Sequence, residues 1–518
     1  MLKSKSYRSA LLACAAAAML GACSGADGVA SPGVGAFAPA PAPVPVPPPP
    51  APPPPVTPVG PAADCPTGFS NVGTVSNRRI CQLPTTITGN LVVPNRAGTI
   101  YSVSGRTQVG TDLGADQAAP ISGGQQGILT IEPGVTIFGN SGLDYLLVNR
   151  GSQIFAEGTA TAPIIMTSRQ NVEGTTTENS IGQWGGLVVN GRAPTSDGCV
   201  AVTPPNIACT AQVEGSNAVY GGLSPADNSG RIRYLRLSYS GFTISPNNEL
   251  NGITFAGVGS GTTAEFIQVH NSSDDGIEIF GGNLNLRRIV LSGNDDDSFD
   301  TDSGWRGAAQ FGIVYQRTGG GDFGFETSSR GTNTATFFTR PTYANWTIVM
   351  RSTAGRDAIV HNTGHVGRVY NSVLRSEINQ QCLNLATAVT LTNPNGAGVA
   401  TAPNGPLYNS VFFSCNGGNT EGASGITTAQ VDAQVALGAN NVLTGTSTLT
   451  GGFINGANET AVPVTAYPTA LNATDPALPV NTSITGFLTP VTYIGAVQNA
   501  ADTWYVGWTC GIPGQPAC

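Results

Sequence analysis

The sequence predicts an all-β chain, a single right-handed parallel β-helix (a solenoid) with lateral loops and terminal caps. Three observations carry this reading. Residues 267–282 and 289–304 superimpose on a shift of 22 positions, with Ile267 on Ile289, Asp274 on Asp296, Asp275 on Asp297, Ile277 on Phe299, Glu278 on Asp300 and Gly282 on Gly304. An echo that keeps both its apolar alternation and its acidic turn is what successive coils of a solenoid produce. Elsewhere apolar residues alternate over short runs and stop at Gly or Asn, as in strands with one face in and one face out. Charged residues make up only 10% of the chain while Gly numbers 68, a mixture suited to strands joined by tight turns that need positive φ. Right-handed winding is the default for parallel crossovers. A β-sandwich array is the competing architecture, and it needs hairpin signals that are scarce here.

From the N-terminus, Lys3, Lys5 and Arg8 precede an apolar segment at 10–20 that is too short to span a bilayer. Leu20, Gly21, Ala22 and Cys23 follow, and they resemble the bacterial lipobox, in which cleavage before the cysteine exposes a thiol for lipidation. Residues 1–22 are therefore expected to be a lipoprotein signal peptide and Cys23 the lipidation site. Acyl chains there contribute roughly 0.8 kcal/mol per buried CH2 to membrane anchoring. Ser24 in place of Asp points to the outer membrane, on its periplasmic or cell-surface face, with release as a further fate. The rest of 23–63 is a Pro-rich linker, with Pro runs at 47–50 and 52–55. It adopts extended polyproline II, and about 25 such residues reach roughly 75 Å. Use as a Pro-rich ligand is the alternative.

Residues 64–127 read as an N-terminal cap, 128–415 as the coils, 193–230 as a lateral insertion, and 416–518 as C-terminal coils and cap. Ile131 to Phe138 echoes 17 positions on as Val148 to Phe155, Phe311 lies 22 after Ile289, and Phe323 lies 24 after Phe299. Tyr370 to Leu374 recurs as Tyr408 to Phe412. Residues 427–437 form a short helix with Thr near the N-cap and Gly438 beyond its end. Residues 491–518 are expected to cover the open end of the last coil, which would otherwise expose a strand edge. Of ten cysteines, Cys14 leaves with the signal peptide and Cys23 takes lipid. The remaining eight pair by proximity as Cys65–Cys81, Cys199–Cys209, Cys382–Cys415 and Cys510–Cys518, in an oxidising compartment.

Formal net charge is −8, and no lysine follows Lys5. That balance argues against nucleic-acid binding. Eight carboxylates fall between 274 and 302: Asp274, Asp275, Glu278, Asp295, Asp296, Asp297, Asp300 and Asp302. On adjacent coils, equivalents stand about 4.8 Å apart, where like charges repel by about 1 kcal/mol even in bulk water. Bound Ca2+, a hard cation with several oxygen ligands, offsets this; Asp274, Asp275, Asp296, Asp297 and Asp300 are the candidate ligands. Protonation of one member of a pair, pairing with Arg287, Arg288 or Arg306, and turn capping by Asp are the other accounts. With Ile277, Ile279 and Phe299 inward, Glu278, Asp300 and Asp302 point outward, and Glu326 extends the row. Beside them Trp305 and Arg306 make a candidate glycan-binding face. Asp297, Asp300 and Arg306 are the candidate catalytic residues if the face cleaves rather than binds. His361 and His365 are expected to be structural or solvent-exposed, with a metal ligand or a base as the alternative.

Residues 158–168 and 183–186, the acidic rows at 273–282 and 294–300, the Gly304 to Gly307 turn, and the ending at 493–496 and 507–509 resemble a group of exported bacterial β-helix lipoproteins with a pectin-lyase-like fold. The resemblance covers roughly 85–509. It implies an association with TonB-dependent outer-membrane receptors and supplies no agreed catalytic residues. Asp274 and Asp275 resemble the Asp-Asp motif of polygalacturonases on the same fold, but the other motifs of that family are missing or only grazed at 364–366. The expectation is thus an outer-membrane-anchored β-helix that binds an extracellular glycan or nutrient, accessory to a receptor. A Ca2+-dependent polysaccharide lyase or glycoside hydrolase is the first alternative, and a structural or adhesive spacer is the second.

Overall fold

Ile267 pairs with Ile289, and Glu278 with Asp300, on parallel neighbouring strands, so the 22-residue echo is the rise of one coil onto the next. The same pairing repeats from strand to strand in a computed structural model describing residues 60–198, 209–246, 248–329, 338–393, 404–467 and 486–518. The chain is a parallel β-helix built from a 15-stranded and an 11-stranded sheet, with two small hairpins at its side. Signal peptide, Cys23, most of the linker and Cys199 lie outside the described residues. Among the described residues no helix is long and apolar enough to cross a membrane.

The longer sheet is two faces joined at a corner. In the early coils they are separate strands: Gln153–Glu157 pairs with Gly127–Ile131, and Ile164–Ser168 with Thr136–Gly139. Both then pair with different halves of one strand, Gly230–Ser238. Between those halves sits Tyr234 at φ 48°. Every later coil repeats the device with a left-handed residue that the ladder skips: Phe266, Arg288, Phe311, Asn345, Asn371 and Ser410. A side chain in that region costs on the order of 1–3 kcal/mol and persists where its surroundings over-determine it. Here regular pairing on both sides does so.

The observed register corrects several echoes. Ile289 pairs with Gly312, one position beyond Phe311, because this coil is 23 residues long and not 22. Val373 pairs with Phe412, one position off the Tyr370 to Tyr408 match. The echo between Ile131 and Val148 joins different sheets, and the true partner of Ile131 is Ala156. A longer turn also moves the partner of Phe299 from Phe323 to Phe325.

Inward Ile, Val, Leu and Phe form one continuous core from Cys81 to Val435. Phe299, Phe325 and Trp346 stack in it at centroid separations of 4.8–5.4 Å. An antiparallel hairpin, Ser70–Val75 with Arg78–Gln82, precedes the coils. Parallel pairing already begins at Arg79 with Thr99, well before residue 128. At the other end the helix Thr428–Val435 carries a capping box between Thr427 and Gln430 and sinks Val431 and Val435 into the core. That helix, and not 491–518, covers the last coil. The C-terminal arm instead runs back along the outside, where Phe453, Val497 and Trp508 pack on Val290, Ile313 and Val349 of the 15-stranded sheet. Disulfides join Cys65 to Cys81, Cys382 to Cys415 and Cys510 to Cys518.

Candidate functional site

Outward positions on the 11-stranded sheet place Glu278, Asp300 and Glu326 in one row over three coils. The turns entering those strands add Asp274, Asp275, Asp296 and Asp297. Two hairpins wall the row. The first, Ala211–Gln212 with Val219–Tyr220, belongs to the lateral insertion and buries Val213, Ala218 and Tyr220 against Tyr145, Val188, Ala256 and Phe280. The second pairs Phe242–Ser245 with Asn248–Leu250. They bring Glu214 and Glu249 to the same opening. The result is a groove of 430 Å³ with twelve lining residues, all carboxylic acids except Thr243 and Ser273. Sequence reasoning missed Glu214 and Glu249, because each enters from a segment without coil periodicity.

Part of the acidic set does cap turns. Asp275 Oδ1 accepts the Asp297 amide at 3.1 Å, and Asp297 Oδ1 accepts the Phe323 amide at 2.8 Å. One carboxylate oxygen therefore stitches each coil to the next. Glu278 accepts from Asn251 at 2.6 Å, and Glu326 from Asn362 at 2.8 Å. Capping does not use up the site. Asp274, only 9% exposed, has an Oδ2 buried with no hydrogen-bond partner. Its charged form is opposed first by burial and then by Asp296, Glu249 and Glu214, which push its pKa up to about 8. Burial, then neighbouring carboxylates, also hold Asp275, Glu278, Asp297 and Asp300 well above the usual carboxylate range. Glu278 and Glu214 touch carboxyl to carboxyl, as do Asp297 and Glu326. Such a pair needs a shared proton or a cation.

Three sets bring one oxygen per residue to within 4.8 Å of one another: Asp274, Asp275 and Asp296; Asp275, Glu278 and Asp300; and Asp296, Asp297 and Asp322. All five candidate metal ligands fall in these sets, joined by Glu278 and Asp322. Oxygen-only donors of this kind suit a hard divalent cation such as Ca2+, which takes 6–8 oxygens including water. Among the described residues, no lysine, arginine or histidine lines the groove. Arg317 pairs with Asp295, and Arg356 with Asp322 at 3.1 Å; both stand at its edge.

The remaining candidates lie elsewhere. Trp305 is 0% exposed in the core, its Nε1 donating to Leu284 O at 3.1 Å, so it offers no face to a sugar. Arg306 is equally buried, near Arg340, Arg368 and the Phe338 ring. Two-residue alternation had placed this pair beside the acidic row, but the strand ends at Asp302 and the turn swings both indoors. Asp302 is buried and accepts the Ser303 amide at 2.6 Å, outside the groove lining. Arg287 and Arg288 do not offset the acids either. Arg287 donates to Phe487 O, and Arg288 lies over Phe266 and Phe311 on another face. His361 and His365 point into the core, Nδ1 to Nδ1 at 2.8 Å.

Among known proteins, a family model described as a pectate-lyase-like β-helix domain matches residues 118–443. The chain belongs to that family. No curated protein and no solved structure matches it. The matched span of this pectate-lyase-like β-helix contains every coil that contributes to the acidic row, together with both hairpins that wall it.

Proposed function

We propose that this pectate-lyase-like β-helix is a lipid-anchored outer-membrane protein that binds Ca2+ in the acidic groove and, through it, an anionic extracellular glycan. The observation that carries the reading is the groove itself: overlapping carboxylate triads in which, among the described residues, only Asp322 is ion-paired, to Arg356 at the edge, and a buried Asp274 oxygen left unpartnered. A bound divalent cation relieves the repulsion and leaves coordination positions for a uronate carboxylate, which cannot approach bare acids of its own sign. Lys3, Lys5 and Arg8, the Leu20 to Cys23 motif and the Pro-rich linker support display away from the membrane. The resemblance to lipoproteins found beside TonB-dependent receptors supports delivery to such a receptor.

The test is calorimetric titration of the mature chain with Ca2+, then with polygalacturonate and alginate in Ca2+ or chelator. Binding of Ca2+ that is lost in Asp297→Ala and Asp300→Ala, with glycan binding only when Ca2+ is present, is the expected result. Glycan binding indifferent to both chelator and variants sinks the reading. A second reading, cleavage of the glycan, draws support from the concave shape of the groove and its contacting carboxyl pairs. It predicts release of unsaturated or reducing ends, lost in the same variants. Absence of any glycan binding leaves the spacer role.

A further inference from the structure

Where the C-terminal arm reaches Cys518, a cavity of 200 Å³ opens on the outside of the 15-stranded sheet. Its volume lies below the roughly 300–1,000 Å³ of drug-sized sites, so it suits an ion of a few heavy atoms. Thr136, Ile165 and Arg236 line it from one outward row across three neighbouring strands. Arg78 lines it from the N-terminal hairpin, and the short helix Arg169–Glu173 supplies Asn171 and Val172.

The uncharged polar wall satisfies itself. Asn171 Nδ2 donates to Cys518 O at 2.9 Å and to Thr176 Oγ1 at 3.3 Å, so Asn171 Oδ1 is the acceptor for the Thr167 hydroxyl at 3.0 Å. Ser238 Oγ, 3.0 Å from Thr167 Oγ1, then gives its own hydrogen to that oxygen. None of these bonds involves an arginine. Among the described residues, the guanidiniums of Arg78 and Arg236 have no hydrogen-bond or ion-pair partner, Cys518 included, and no side-chain carboxylate lines the cavity. Both arginines are half-buried, with Ile165 and Val172 beside them. Burial lowers the pKa of each, and no carboxylate counters it. Arginine keeps its proton even so. Two positive charges are thus held partly out of water without a counter-ion, and charges so placed are normally paired.

A phosphate group carries about −1.5 to −2 at pH 7, which balances two guanidiniums, and the guanidinium fork matches its oxygens in pairs. Arg78 comes from the hairpin, Arg236 and the Thr136 hydroxyl from the sheet, so the donors belong to different walls. A tetrahedral anion turns an oxygen to each wall, whereas a carboxylate turns both of its oxygens one way. We propose that this cavity binds a small tetrahedral oxyanion, a phosphate or sulfate group. It shares no residue with the acidic groove and depends on neither the cation nor the glycan reading of it.

The experiment is calorimetric titration of the mature chain, in chelator and at fixed ionic strength, with inorganic phosphate, sulfate, glycerol phosphate and acetate. Phosphate or sulfate is expected to bind at one saturable site, and acetate at least about tenfold more weakly. Arg236→Gln and Arg78→Gln are each expected to weaken binding about tenfold or more, the scale of a hydrogen bond to a charged group. Arg231→Gln, at an exposed position of the same strand as Arg236 and paired with Glu157, is expected to leave it unchanged. Arg78 lies in the terminal hairpin, so its variant keeps the test open if Arg236→Gln does not fold. Glycerol phosphate binding as tightly as phosphate identifies a phosphate ester as the source, and much weaker binding identifies the free ion; either upholds the proposal. It is overturned if neither phosphate nor sulfate binds, if acetate binds as well as they do, if both cavity variants bind unchanged, or if Arg231→Gln weakens binding as much as they do. Failure of Ca2+ to bind the groove leaves these results unaffected, so the two readings fail separately.

Discussion

The two outward faces of the same coils have opposite chemistry. On the 11-stranded sheet, successive coils present Glu278, Asp300 and Glu326. On the 15-stranded sheet they present Val290 and Ile313, which the C-terminal arm covers with Trp508 and Phe453. Inward positions do not differ in this way; they are apolar on both sheets and form one core. The core requires only the inward row, so the outward rows are free to diverge. One took an apolar cover and became a packing surface. The other took acids, and hairpins bearing more acids, at a cost to stability that a fold alone does not explain.

Several substitutions would break or sharpen this contrast. The largest effect is expected from Trp305→Ala, which empties a core position beside Phe299 and Tyr343. It should cost about 3–5 kcal/mol, read by denaturant unfolding; unchanged stability would return Trp305 to the list of ligand platforms. Next is Ca2+ itself. At one hundred times its dissociation constant a single bound ion stabilises by about 2.7 kcal/mol, measured as a rise in Tm. The rise should vanish in Asp275→Asn paired with Asp297→Asn, and should survive Trp508→Ala, which disturbs only the other face.

The groove also sets a pH dependence. Asp274, Asp275, Glu278, Asp296, Asp297 and Asp300 bind protons more tightly folded than unfolded, with Asp274 near pKa 8 against an ordinary 3.8. Stability therefore falls as pH rises toward 8. Buried His270 and His361, both with pKa values lowered to about 3, act in the opposite direction, and only below about pH 6.5. Between pH 6.5 and 8 these histidines no longer contribute and the carboxyls do. In chelator, Tm should decline across that window, and Ca2+ should restore it more at pH 8 than at pH 6.5. A flat profile in chelator would remove the charge conflict on which the cation reading rests. The smallest effect is expected from Thr427→Ala, which removes the N-cap of the end-covering helix and should cost about 1 kcal/mol without altering Ca2+ binding.

Much of the coil architecture was legible because a solenoid repeats its requirements. Ile267 and Ile289 occupy one register position, and so do Glu278 and Asp300. The corner at Phe266, Arg288 and Phe311 was not legible, because nothing in those side chains marks a left-handed backbone. Its position comes from pairing on either side.

The sequence by itself determined the alternation, the approximate coil period, the cysteine pairs 65–81, 382–415 and 510–518, and the acidic row, all of which are local or recur at a nearly constant offset. Tertiary structure alone decided what surrounds that row. Glu214 and Glu249 reach it from hairpins whose own sequence carries no period, and Trp305 leaves it because one turn after Asp302 rotates inward. The physical reason is that register is set by near-neighbour pairing, which repeats along the chain. A wall around a site depends on where a non-repeating loop packs, here on Val213 and Tyr220 settling against Phe280 and Ala256.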